Sequence, residues 1–202
     1  MKKYLFLSLA GLLMAALATG QSQYKAGDIA SDFSLKNIEG KMISMSQYSD
    51  ADGFIVSFWC NTCPVVKKYD QRLQDLHAKY APKGYPVIAI NPNDPAVSPG
   101  DSWEKMKETA AAKGYVFEYL FDETQEVARK YGATNTPHIY ILAWKDGKLV
   151  VEYVGAIDNN ADDASAADKK YAEEALNSLI RGEKVAVAGT RAIGCTIKWK
   201  KG

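Results

Sequence analysis

The sequence predicts an α/β sandwich, with a central mixed β-sheet and helices on both faces. Three observations carry this. Short apolar runs rich in β-forming residues alternate with longer segments whose apolar residues recur at nearly 3.6-residue spacing. Two of the runs, FIVSFW (54–59) and PVIAI (86–90), are apolar throughout, as strands covered on both faces should be. Two later runs, HIYIL and LVVEYVG, are joined by the turn KDGK and so form an antiparallel hairpin over 138–155.

The elements follow in order. In GDIASDFSLKNIEGKMISMSQY (27–48), Ile29, Phe33 and Leu35 precede the turn NIEGK and a second short apolar run, which predicts a hairpin. FIVSFW is the first buried strand. The helix after CNTC carries Val65, Val66, Tyr69, Leu73 and Leu76 on one stripe and stops near Gly84. PVIAI is the second buried strand. It leads into the loop NPNDPAVSPGD, where Asp101 or Ser102 caps the helix WEKMKETAAAKG. FEYLF (117–121) is a third strand, and DETQEVARKYG is a short helix with a glycine stop. After the 138–155 hairpin, a final helix is expected from Ala164 to Arg181, ended by Gly182. Residues 21–183 therefore read as one domain and 184–202 as a C-terminal extension. Within that extension Ile193, Ile197 and Trp199 alternate like a short docked edge strand.

A chain of 202 residues suffices for one well-buried domain and is short for two. A hydrophobic fraction of 47% and a charged fraction of 24% are ordinary for a globular protein. The formal charge is +1, and no Lys/Arg stripe points to nucleic acid. The terminal KWKKG is too short for a membrane-binding basic cluster and reads as a solvated tail. Met42, Met45 and Met106 lack metal-box spacing and read as packing, as do Trp103, Trp144 and Trp199.

The first twenty residues are different. Lys2 and Lys3 precede an apolar stretch from Tyr4 to Ala18, followed by the small residues ATG and polar QSQ. That is the order of a secretory signal, expected over residues 1–20, and the stretch is short for a membrane span. The chain is thus expected to be periplasmic or secreted, with no stable membrane insertion after cleavage. Loss of Lys2 and Lys3 would take the formal charge from +1 to −1. An oxidising compartment permits disulfides. Three cysteines, however, are too few for a disulfide scaffold and odd in number, so they read as chemical rather than structural.

Cys60 and Cys63 stand where the buried strand gives way to the helix. This spacing predicts Cys60 at the helix start and Cys63 in its first turn. Unpaired N–H groups and the positive helix end there favour a thiolate, the form that attacks disulfides. One helical turn brings the second sulfur close enough to resolve a mixed disulfide. Cys60 is then the expected nucleophile and Cys63 the resolving thiol. Thr136-Pro137 lies just before HIYIL, where proline removes a ladder donor and is a candidate cis residue. A proline lying against the sulfur pair would leave the Thr136 carbonyl free to bind an extended substrate as an added strand.

With GDIASDFSL, SFWCNTCP, DETQEVARKYGATNTP and the closing hairpin and helix in view, the chain resembles the thioredoxin-fold superfamily from about Gly27 to Gly182. More narrowly, CNTCPVVKKY, NPNDPAVSPGDSWEKM and GCTIKWK resemble its peroxiredoxin-like branch, in the alkyl-hydroperoxide-reductase/thiol-specific-antioxidant (redoxin) group. The resemblance implies a thioredoxin-like sandwich, thiol chemistry at Cys60 with Cys63 as partner, Pro137 as a cis-proline, and Trp59 flanking the sulfurs. It also leaves gaps. The buried acids of related reductases, six positions before and six after the first cysteine, are replaced by Phe54 and Val66. Lys67 and His138 are the substitutes considered. In the peroxidase loop Pro-x-x-x-Thr-x-x-Cys, Gly53 stands for the proline and Ser57 for the threonine.

The expected function is exported thiol–disulfide oxidoreduction on protein disulfides through Cys60 and Cys63, with Trp59, Thr136 and Pro137 binding substrate. Electrons would come from an upstream thiol donor, because the chain has no nucleotide or flavin fingerprint and no cofactor is expected. A thiol peroxidase with Cys60 as the peroxidatic cysteine is the alternative. A plain Cys60–Cys63 bridge would close too small a loop to stabilise much. A metal-binding module would have to complete about four ligands from Cys195, His77 and His138, and no metal is expected. Cys195 is itself a candidate third redox centre.

Overall fold

In the computed structural model, which describes residues 23–201, seven strands form one mixed sheet. The predicted signal segment 1–20 lies outside the described residues. Strands β1 (Leu35–Asn37) and β2 (Met42–Ile43) make the first hairpin; β3 (Gly53–Phe58), β4 (Val87–Asn91) and β5 (Glu118–Phe121) form the parallel centre. A two-residue strand β6 (Asn135–Thr136) precedes the hairpin of β7 (His138–Lys145) and β8 (Lys148–Gly155). The sheet order is β2-β1-β5-β4-β3-β7-β8, with β7 antiparallel to β3. At Gly53 a Cβ atom would stand 2.0 Å from the Leu142 carbonyl oxygen, so only glycine permits that pairing at the sheet's centre.

The period of two sorts β3 onto two cores. Ile55 and Trp59 face one side, where α1 (Pro64–Tyr80) contributes Val66, Tyr69, Leu73 and Leu76, and α2 (Trp103–Lys113) contributes Met106 and Ala110. The fourth helix, α4 (Tyr171–Ile180), adds Ala172 and Leu176 to that core. Phe54, Val56 and Phe58 face the other side, against Ala128 and Tyr131 of α3 (Glu126–Tyr131) and the N-terminal residues Phe33 and Met45. Among the described residues, α-helices cover both faces as expected, three on one side and one on the other.

Ser102, not Asp101, caps α2: its hydroxyl accepts from the Lys105 N–H at 3.3 Å. Ser102→Ala is expected to cost about 1 kcal/mol, read as a fall in melting temperature of roughly 2–4 °C. The last helix is shorter than the sequence implies, starting at Tyr171 rather than Ala164. The Asp/Asn run before it explains this. Asp158 accepts from the Asn160 N–H, Asn160 from those of Asp162 and Asp163, and Asp163 from that of Ser165. Such side-chain turns compete with helix formation. Residues beyond α4 dock on the domain, Thr190 on Val154 and strand β9 (Cys195–Thr196) antiparallel on β6. No helix among the described residues is long and apolar enough to cross a membrane.

Candidate active site

The chain leaves β3 through Trp59, whose N–H still bonds the Ile90 carbonyl at 2.8 Å, and enters the turn Cys60–Cys63. The helix begins later than the sequence suggests: Pro64 is its first residue and Cys63 its N-cap. The reason lies in the loop before α2. Asp101, fully buried, accepts from the N–H groups of Asn61 at 2.7 Å and Thr62 at 3.3 Å, and from the Thr62 hydroxyl at 2.7 Å. Those donors are thereby satisfied outside the helix. Ser98 and Asn93 also donate to Asp101, at 2.6 and 2.9 Å. Tyr119 donates to the Asn61 side-chain oxygen at 2.9 Å. The turn is thus held by residues from two distant segments.

Both sulfurs meet Thr136. Cys60 Sγ lies 3.1 Å from Thr136 Oγ1, and Cys63 Sγ lies 3.2 Å from the Thr136 carbonyl oxygen. The Thr136-Pro137 bond is cis. All three cysteines are free thiols, with Cys60 and Cys63 buried and Cys195 half-buried. Cys195 stands opposite Thr136 in the β6–β9 pair and packs on the core that contains Cys60 and Cys63. The chain's own segment therefore fills the edge expected to receive substrate, and Thr136 is fully buried beneath it.

The two thiols share one negative charge, and their surroundings draw it toward Cys63. Cys63 is lowered to about 4, first by the hydrogen bond from the Cys60 thiol, then by the Cys195 thiol and the Val66 N–H, which outweigh its burial. Cys60 is pushed up, first by its bond to Cys63, then by burial and by repulsion from the Asp101 carboxylate. Cys195 is raised to about 11, mainly by burial and next by Cys63. Beyond the bond the two thiols share, Cys63 meets the Val66 and Cys195 N–H groups, while Cys60 meets the Cys63 N–H and the Thr136 hydroxyl but stands near the Asp101 carboxylate. Attack by Cys63 would invert the roles that the spacing implies.

A cleft of about 450 Å³ between α1 and α2 opens onto Cys60, with Val66, Asp70, Lys113 and Tyr115 among its walls. The Tyr115 hydroxyl donates to Asp70, Lys113 Nζ lies 3.3 Å from the same carboxylate, and the Trp59 indole donates to Tyr115 at 3.4 Å. Trp59 is only 1% exposed and supports the site from within. Burial pushes the Tyr115 phenol up and keeps it protonated.

The proposed substitutes for the missing acids divide. Lys67 is exposed on the cleft wall. His138 packs against Tyr140 on the opposite face of the sheet from the cysteines, and burial lowers it to about 4. It takes no part at the sulfurs. Ser57 Oγ is buried without a hydrogen-bond partner, so it does not orient Cys60. His77 accepts from the Val87 N–H at 3.2 Å. Among the described residues no group of three or more His, Cys, Asp or Glu side chains has metal-holding geometry. Asp70 and Asp101 are the acids the sequence reading missed. Asp70 was findable, since it continues the Cys63–Val66 face of α1 by one turn. Asp101 carried no local signal beyond its resemblance to a helix cap.

Thr136→Val keeps the side chain's shape and removes its bond to Cys60. That bond lowers Cys60, so the variant is expected to slow resolution of a mixed disulfide by roughly 2- to 10-fold, as befits one hydrogen bond. Rapid-quench alkylation measures it, and an unchanged rate would make the contact incidental.

Residues 26–154, more than half of the chain, match the AhpC/TSA family. A thiol-disulfide oxidoreductase ResA of Halalkalibacterium halodurans is 24% identical over 166 residues, covering 77% of this chain and 89% of that protein. An uncharacterized conserved protein from Geobacillus kaustophilus is similar in structure, with a TM-score of 0.80 at 36% identity over 88% of this chain and 93% of its own. A hypothetical protein from Sinorhizobium meliloti 1021 superimposes with a TM-score of 0.82 at 29% identity, covering 90% and 98%.

Proposed function

Since the chain belongs to the AhpC/TSA family, we propose that it is an exported thiol–disulfide oxidoreductase whose redox pair is Cys60 and Cys63 and whose substrate is a protein disulfide. The observation that carries this reading is the meeting of both thiols on Thr136, one at its hydroxyl and one at its carbonyl. The likeness to a thiol-disulfide oxidoreductase supports it. The Cys63 thiolate attacks one sulfur of the substrate disulfide, and the other leaves as a thiol. Cys60 then gives up its proton and attacks Cys63 Sγ, which releases the second substrate thiol and closes the Cys60–Cys63 bond. A thiol donor upstream restores the pair. Substrate reaches Cys63 as an extended segment at the Thr136 edge, in the place β9 occupies.

Thiol peroxidase activity is the alternative. Without a hydroxyl from Ser57 on Cys60, peroxide lacks its orienting group. Insulin reduction run beside peroxide consumption decides between them: reduction that depends on both cysteines is expected, and peroxide turnover without insulin reduction would overturn the reading. Export rests on the order of charged, apolar and small residues over 1–20. Expressed in a bacterium with its own N-terminus, the protein should be found outside the cytoplasm and begin near Thr19 or Gln21. A full-length cytosolic product would contradict export alone.

A further inference from the structure

We propose that Cys195 is a third catalytic thiol, and that the disulfide of the oxidised site exchanges between Cys60–Cys63 and Cys63–Cys195. The inference rests on the reading of Cys60 and Cys63 as the redox pair and extends it to the C-terminal segment.

Three independent features of the fold place Cys195 for this role. The first is register. Cys195 is paired with Thr136, the residue whose carbonyl lies 3.2 Å from Cys63 Sγ. Cys195 also packs on the core cluster that contains Cys63. The second is close approach. Asn135 Nδ2 bonds the Gly194 carbonyl at 3.0 Å, and a Cβ on Gly194 would stand 2.2 Å from the Thr136 carbonyl oxygen. Only glycine lets the strand lie so flat on the Thr136-Pro137 peptide. The third is anchorage. The Ile197 N–H bonds the Thr134 carbonyl at 3.1 Å, the Lys198 N–H bonds Asn93 Oδ1 at 2.9 Å, and Ile197 is buried. The Gln125 amide donates to the Lys198 carbonyl and accepts from the Lys200 N–H. The segment is built to hold its cysteine where a substrate cysteine would sit.

The step is redox-neutral and needs no outside reagent once the pair is oxidised. Cys195 loses its proton and attacks Cys63 Sγ; the Cys63–Cys195 bond forms and the Cys60–Cys63 bond breaks. Cys60 leaves as the thiolate and takes a proton. Oxidation of the pair also removes the Cys63 charge that holds the Cys195 proton in place. The two states differ in consequence. A bond at Cys63–Cys195 fixes β9 over Thr136 and leaves Cys60 as a free thiol on the cleft. A bond at Cys60–Cys63 leaves β9 held by non-covalent contacts alone, able to yield its place to substrate.

The test treats the full chain, reduced and then exposed to one equivalent of oxidised glutathione, with acid quench, alkylation and mass-spectrometric mapping. Wild type is expected to show both Cys60–Cys63 and Cys63–Cys195. Cys60→Ser should yield Cys63–Cys195 as its main product. Gly194→Val, which lifts β9 and leaves all three cysteines in place, should cut the Cys63–Cys195 product by about 10-fold or more while Cys60–Cys63 still forms. If wild type forms Cys60–Cys63, and a Cys60→Ser protein with the wild-type melting profile leaves Cys195 free, the third thiol is overturned and the redox pair stands. If wild type forms no bond at Cys60 or Cys63, both readings fall.

Discussion

Cys63→Ser is expected to lower kcat/KM for insulin reduction by on the order of 10⁴-fold or more, the scale at which removing a nucleophile stops a covalent mechanism. The same variant should lose the thiolate that titrates near pH 4 in the reduced protein, followed by thiolate ultraviolet absorbance. The sign follows from the chemistry. The thiolate is the attacking form, so alkylation at Cys63 should be nearly constant above that midpoint and fall as pH drops through it. Cys60→Ser behaves differently, because attack survives and resolution does not. With Cys195 also replaced by serine, the Cys60→Ser protein should accumulate a mixed disulfide at Cys63. Accumulation in Cys63→Ser instead would return the nucleophile to Cys60.

The second large effect belongs to a residue that touches no sulfur. Asp101→Ala should destabilise the protein by about 3–5 kcal/mol, or roughly 10 °C in melting temperature, because five donors, most of them part-buried, lose a buried charged acceptor together. The donors are the N–H groups of Asn61 and Thr62, the hydroxyls of Thr62 and Ser98, and the Asn93 amide. Asp101→Asn separates support from charge. It keeps the shape, so less stability should be lost, and it removes the repulsion that helps hold the Cys60 proton. Cys60 should then ionise at lower pH, measured by its alkylation profile. A melting temperature unchanged in Asp101→Ala would mean that the Cys60–Cys63 turn supports itself.

Much of the architecture was legible in local pattern. FIVSFW and PVIAI became the buried centre of the sheet because an apolar run without alternation suits a strand with a core on each face. Gly84, Gly114, Gly132 and Gly182 sit at positive φ just after helices, where a residue without Cβ ends the turn. The last helix starts later than its apolar spacing implies because the Asp and Asn residues before it bond backbone N–H groups nearby, and apolar spacing does not register that competition.

At the site the division falls between which residues and which roles. Cys60, Cys63 and Thr136-Pro137 could be named from spacing, since a strand, a turn and a helix start are local events. Their burial, the Asp101 clamp, the seating of Cys195 on Thr136 and the displacement of His138 to the far face are products of tertiary folding. The pKa of a thiol depends on every donor and charge within a few ångströms, and those around Cys63 come from α1 and β9, while Asp101, on the loop before α2, bears on Cys60. Where sulfur chemistry would occur is written in the order of residues alone. Which sulfur draws the charge depends on neighbours brought together by the tertiary fold, because electrostatic energy depends on distance in space and not on position along the chain.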